Sequence, residues 1–179
     1  WLWNDMENEF GVSDLGYYVG YTIADGYYRQ AKDKEKAIAE LIELDYNDEP
    51  AVELIVDASG YLSAPLATLY QRFEDQRPKV VDIHPFDNGS QTVDPDIDAI
   101  TITFSEPLSP RYRSTGYGPL GEDHFPEVHA IDFAAGGRAV IYRVTLEADK
   151  QYQLLLESGY RTETDNPLQP YLIEFKTGK

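Results

Sequence analysis

Three histidines, His84, His124 and His129, are the only imidazoles in the chain, and there is no cysteine to join them. Zinc asks for a compact set of nitrogen, sulfur or carboxylate ligands. His124 and His129, with Glu122, Asp123 and Glu127 beside them, come nearest to such a set. Their spacing of five suits neither one helix face nor one side of a strand, so the stretch reads as a solvated loop. Asp94, Asp96 and Asp98 alternate in a way that suggests calcium. The glycine and closing glutamate of a calcium loop are missing, and a polar entry into a strand is the better reading. Ser105-Glu106 has no base beside it and reads as a turn ending a strand, not as a nucleophile. No catalytic residue and no metal ligand is assigned.

Aromatic residues are the remaining candidates. Tyr17, Tyr18 and Tyr21 could line a substrate cleft, with a hydroxyl placed to stabilise an oxyanion. The competing reading, aromatic packing in a core, is preferred. Tyr112, Tyr117 and Phe125 lie in a long stretch rich in Gly, Pro and Tyr, residues 109–126. They form either an exposed platform for a partner, peptide or glycan, or a loop folded back on its own domain, and both readings stand.

The elements that must carry these residues fall into two regions. In the first, Leu15, Tyr18, Val19 and Ile23 recur at helical spacing behind the cap residues Ser13 and Asp14. Tyr17, Tyr21, Tyr27 and Tyr28 widen that stripe, which predicts a helix buried on more than one side. Gly16 and Gly20 suggest close approach of another backbone. A second helix is expected from about residue 33 to 44, capped by Asp33, with Ala37, Ile38, Leu41 and Ile42 as its apolar face. A third opens at Glu49-Pro50 and stops at Ser59-Gly60. A short fourth runs from Ala64 to about Phe73, and Glu74-Asp75-Gln76-Arg77-Pro78 reads as a linker. After Pro78 the period becomes two: Val80-Val81-Ile83, Ile100 to Phe104, Ala139 to Tyr142, Tyr152 to Leu156 and Tyr171 to Phe175. Turn signals at Asp87-Asn88-Gly89, Gly136-Gly137 and Asp165-Asn166-Pro167 separate them, which predicts a sandwich.

Composition narrows the function classes. The 179 residues are 42% hydrophobic, enough for a packed core. The net charge is −17: residues 1–77 hold 6 basic and 16 acidic groups, a balance of −10, and residues 78–179 hold 9 and 16, a balance of −7. Both halves repel a phosphate backbone and an anionic membrane surface, so nucleic acid is excluded as a partner. No run approaches the roughly 20 apolar residues of a membrane span, and membrane insertion is not expected. The chain opens Trp1-Leu2-Trp3 without Met or a targeting segment, and two such residues want a core around them. A mature or truncated product is expected.

Two resemblances extend this reading. Pro78-Lys79-Val80-Val81-Asp82-Ile83-His84-Pro85, the strand Ile100-Thr101-Ile102-Thr103-Phe104 closing on Ser105-Glu106-Pro107, the turn Leu146 to Tyr152 and the last strand Ile173-Glu174-Phe175-Lys176-Thr177 together resemble bacterial immunoglobulin-like domains of surface-layer and other secreted proteins. The resemblance covers residues 78–177, with Ala148 standing where that family often has Pro. It implies an antiparallel β-sandwich behind a helical segment, an α+β multidomain chain divided as residues 1–77 and 78–179. Tyr152, opening a strand after a turn, is placed as a tyrosine corner whose hydroxyl reaches upstream backbone.

The first region resembles the closing helices of a group of secreted zinc peptidases. The match runs through Gly16-Tyr17-Tyr18-Val19-Gly20-Tyr21, Lys32-Asp33-Lys34, Ala37-Ile38-Ala39-Glu40-Leu41-Ile42 and Ser59-Gly60-Tyr61, within residues 1–62. Those enzymes hold zinc with His-Glu-x-x-His, a motif this sequence does not contain. The resemblance therefore implies a non-catalytic C-terminal portion of a metallopeptidase-like parent. It places any zinc in that parent and no cofactor in this chain, and it sets the protein outside the cytoplasm with a surface protein or glycan as partner. The alternative is a stand-alone adhesion or glycan-binding module.

Overall fold

The computed structural model describes residues 15–179, apart from the side chain of Ala135. Trp1, Trp3 and the cap residues Ser13 and Asp14 lie outside the described residues. Two compact units divide the chain, one ending at Phe73 and the other spanning Glu74–Lys179.

The helical unit holds α1 (Leu15–Gln30), α2 (Lys34–Ile42), α3 (Glu49–Ser59) and the start of α4 (Leu66–Gln76). Asp33 caps α2 by accepting from the Lys36 amide at 3.0 Å, and Asp48 caps α3 by accepting from the Ala51 amide at 3.2 Å. Pro50 sits in the first turn of α3, and Gly60 ends it in the left-handed region at φ 68. Helix α1 meets α3 at Gly26 and Ser59, where the Gln30 side-chain amide also donates to the Ser59 carbonyl. It meets α2 through the Tyr27 hydroxyl, which donates to Glu40 at 2.6 Å.

Two expectations for this unit are corrected. Tyr17, Tyr18 and Tyr21 are 76%, 66% and 67% exposed, so they do not form an aromatic core. Among the described residues, α1 meets α3 and α2 through Gly26, Gln30 and Tyr27, and Gly16 is its one buried residue. Close approach falls at Gly26, where a Cβ would stand 2.5 Å from the Ser59 carbonyl oxygen, and not at Gly20, where one meets nothing within 4 Å. Gly26→Ala is therefore expected to loosen the α1–α3 contact by about 1–3 kcal/mol, the usual cost of overpacking. Gly20→Ala should gain up to about 1 kcal/mol of helix propensity. Thermal melts followed by helical circular dichroism compare the two, and equal shifts would refute the assignment.

In the second unit two antiparallel sheets enclose one core. The first has the order β1 (Val80–His84), β2 (Ala99–Phe104), β5 (Ala139–Thr145), β4 (Glu127–Ala134); the second has β3 (Thr115–Gly116), β6 (Gln151–Leu156), β7 (Tyr171–Lys176). Alternation turns Ile100, Ile102 and Phe104 of β2 and Val140, Tyr142 and Val144 of β5 inward. They meet Tyr152, Leu154 and Leu156 of β6 and Ile173 and Phe175 of β7 in a single cluster. The expected α+β architecture with an immunoglobulin-like sandwich is thus present.

The sequence predicts β1 but not β4, and in β1 strict alternation fails at Val81. Each of the two strands carries a bulge. In β1, Val80 pairs with Phe104 and Asp82 with Thr103, so Val81 is the extra residue and stands exposed. In β4, Val128 pairs with Val144 and Ala130 with Arg143, leaving His129 as the extra residue. The inward residues Val128, Ile131 and Phe133 are then spaced three and two, which breaks a search for strict alternation.

The stretch 74–78 is also corrected. Helix α4 continues to Gln76, so most of the expected linker is helical. Arg77 donates from Nε to the Pro167 carbonyl at 3.2 Å and from Nη2 to the Leu168 carbonyl at 2.5 Å, while pairing with Glu74 at 2.7 Å. Asn166 Nδ2 donates to the Gln76 carbonyl at 2.7 Å. These bonds fasten the segment to the turn before β7.

Candidate functional site

The loop candidates sit in two settings. Tyr117 meets Phe125 edge-on, ring centroids 5.3 Å apart, and its hydroxyl donates to Glu122 at 3.2 Å. That acceptor raises the Tyr117 pKa above its ordinary value. Phe125 packs against the sandwich core, so one member of the expected platform is committed to structure. Tyr112 faces the Arg161 guanidinium at 5.9 Å, an arrangement of the cation–π type. Both Tyr112 and Tyr117 remain partly exposed.

The two loop histidines have separate partners. His124 Nδ1 lies 2.9 Å from the Gln151 carbonyl, and His129 Nε2 lies 2.7 Å from the Thr145 hydroxyl. His129 belongs to β4, so the loop reading is corrected for that residue. Among the described residues no group of three His, Cys, Asp or Glu is placed to hold a metal ion. Asp94 folds locally, accepting from the Asp96 amide at 2.9 Å. Ser105 accepts from the Lys79 amide at 3.0 Å, a structural use of the hydroxyl.

Sequence reasoning missed two arrangements. Inside the sandwich, the Tyr142 hydroxyl stands 2.6 Å from both Thr115 Oγ1 and the Tyr160 hydroxyl, with both tyrosines closed to solvent and Thr115 half-buried. Burial pushes the Tyr142 pKa well up, and the neighbouring Tyr160 adds to the shift. The three hydroxyls satisfy one another and tie β3 to β5 across the core.

The second is a groove of about 620 Å³ in the helical unit. Ala51, Leu54, Ile55 and Ala58, spaced as one stripe of α3, form an apolar wall. Tyr27, Leu44 and the carboxylates of Glu40, Glu43, Asp45 and Asp48 complete the lining. Leu54 is 72% exposed, so this stripe is left half-covered. Three of the four carboxylates already have partners: Tyr27 and Lys36 on Glu40, Asn47 on Asp45, and the Ala51 amide on Asp48. Asp45 is held below the usual carboxylate range by its bonds from the Asn47 amide and side chain. Tyr17, Tyr18 and Tyr21 are not part of this lining. The i, i+3, i+4, i+7 stripe was the available signal.

No family model matches the chain, and no curated protein matches it. Among solved structures, CopC from Methylosinus trichosporium OB3b is similar over 57% of this chain and 94% of its own, at 16% identity and a TM-score of 0.45. The surface layer protein SbsC, domains 1–6, is similar over 92% of this chain and 23% of its own, at 16% identity and a TM-score of 0.40. The N-terminal part of the same surface-layer protein gives 90% and 39%, at 15% identity and a TM-score of 0.42. This chain thus spans less than half of those surface-layer chains.

Proposed function

We propose that this chain is a non-catalytic binding and positioning module of an extracytoplasmic bacterial protein, with the sandwich as scaffold and the helical unit as contact surface. One contrast carries the reading. The sandwich turns its large side chains inward, with Tyr142, Tyr152, Tyr160, Phe104 and Phe175 all buried, whereas the helical unit leaves Tyr21, Ile42, Tyr46 and Leu54 more than half exposed. Large apolar side chains left exposed on one unit and not on the other support that unit as the contact surface. In its finer form, the unit is the C-terminal portion of a secreted zinc-metallopeptidase-like protein. The Gly-Tyr-Tyr-x-Gly-Tyr pattern of residues 16–21 supports this. The parent reading frame should then carry His-Glu-x-x-His upstream, and a frame without it overturns the peptidase form.

The partial exposure of Tyr112 and Tyr117 favours a second reading, a glycan-binding or adhesion module working through residues 109–126. One experiment separates the two. Binding of the full chain to a glycan array and to cell-surface fractions is compared for Tyr21→Ser/Tyr46→Ser and for Tyr112→Ala/Tyr117→Ala. The first pair is expected to lose binding at least about tenfold, on the scale of an interface aromatic. Loss confined to the second pair would transfer the function to the loop.

A further inference from the structure

We infer that the groove along α3 seats a cationic amphipathic segment of a protein partner, a Lys- or Arg-bearing helix laid with its apolar side on Leu54 and Ile55. The inference rests on the helical unit being the contact surface and names what that surface takes. The stripe Ala51, Leu54, Ile55, Ala58 gives the geometry, since apolar anchors at this spacing meet a partner helix along its length. Charge names the occupant. From Ala37 to Gln71 every charged residue is a carboxylate, from Glu40 to Asp57, with no Lys, Arg or His among them. Glu43, exposed on the groove wall, has no side-chain partner among the described residues, unlike the other three carboxylates.

The same charge removes the competing occupants. Residues 1–14 contain Asp5, Glu7, Glu9 and Asp14 and no cation, so that segment would bring carboxylate to carboxylate. A second copy brings a net charge of −17. Like charges set together across an interface oppose association, whereas a basic helix is steered in and held by the rim. The partner's apolar side covers Leu54, and its cations reach Glu43 and its neighbours.

The test uses the full chain and three labelled peptides: an amphipathic Leu/Lys helix, a scrambled Leu/Lys peptide of the same composition without an apolar face, and a Leu/Glu helix. The amphipathic Leu/Lys peptide is expected to bind at least about tenfold tighter than either control, a ratio worth about 1.4 kcal/mol. Its affinity should fall as salt rises. Leu54→Asp and Glu43→Lys should each weaken it several-fold. Glu163→Lys, the same charge change on the exposed surface of the sandwich unit, should not. Circular dichroism checks that the variants keep their helices. Equal binding of the Leu/Glu or scrambled peptide overturns the inference. So does an unaffected Leu54→Asp, or a Glu163→Lys variant as weak as Glu43→Lys. A Leu54-dependent dimer in sedimentation, or a large gain in affinity on removing residues 1–14, overturns it by naming another occupant. If the peptides fail while Tyr21→Ser/Tyr46→Ser still abolishes surface binding, the inference falls and the proposed function stands.

Discussion

Tyr152→Ala is expected to cost the sandwich about 3–5 kcal/mol, the range for truncating a buried aromatic ring. The ring is fully enclosed and stacks on Phe175, centroids 5.3 Å apart and planes 25° from parallel, and Phe175 meets Phe86 at 4.5 Å. Its hydroxyl accepts from the Glu147 amide at 2.7 Å. The turn that this bond closes is held again from the other side, where Thr177 Oγ1 donates to the Glu147 carbonyl at 2.7 Å and accepts from the Lys150 amide at 2.9 Å. Asp149 adopts φ 54 between them, and Lys150 pairs with Glu147. Tyr152→Phe keeps the ring and removes only the bond, leaving a part-buried amide unsatisfied at a cost of about 1–3 kcal/mol. Urea titrations of the two variants separate ring from hydroxyl. A Phe variant as stable as the wild type would show that the hydroxyl does not hold the turn.

This corner was legible in the sequence because the bond that defines it is local, joining a leucine, a polar turn and a tyrosine within Leu146 to Tyr152, whereas the brace from Thr177 was not. The cap of α2 was legible for the same reason, since Asp33 bonds an amide three residues on. Pro50 and Gly60 marked the two ends of α3, although its cap Asp48 was not singled out. Bulged strands were not, because a single extra residue at His129 shifts the phase of Val128 against Ile131 and Phe133. Nor was the exposure of α1. A run of tyrosines has the composition of a core whether or not another element lies over it, and only packing decides. The stripe of α3 sat in plain view, but its meaning depends on Leu54 being left exposed in the folded unit. The Thr115–Tyr142–Tyr160 cluster joins residues 27 and 45 positions apart, beyond the reach of any local pattern.

That cluster makes the stability of the sandwich depend on alkaline pH. Tyr142 is closed to water, its hydroxyl bonded only to two other hydroxyls, so a phenolate there would lose its hydration and gain no cation in contact. Burial, followed by the charge of Tyr160, raises its pKa far above the ordinary 10.0, with Arg113 opposing weakly. Below pH about 10 the phenol is protonated in both folded and unfolded chains, and its contribution to stability is fully present. Above that the unfolded chain releases the proton and the folded one keeps it, so stability falls by about 1.4 kcal/mol per pH unit for this single group. Tyr27, Tyr70 and Tyr117 are shifted in the same direction by hydrogen bonds to Glu40, Glu53 and Glu122, but they are at or near the surface and screened by solvent. The difference between wild type and Tyr142→Phe isolates the buried group. Urea midpoints taken at steps from about pH 8 to 11 should fall more steeply for the wild type above pH 10. Tyr142→Phe starts lower, because the Thr115 hydroxyl loses its 2.6 Å partner, and then converges on the wild type as pH rises. Parallel curves through that window would mean that Tyr142 ionises inside the folded sandwich, and that the cluster tolerates a charge its geometry gives no means to stabilise.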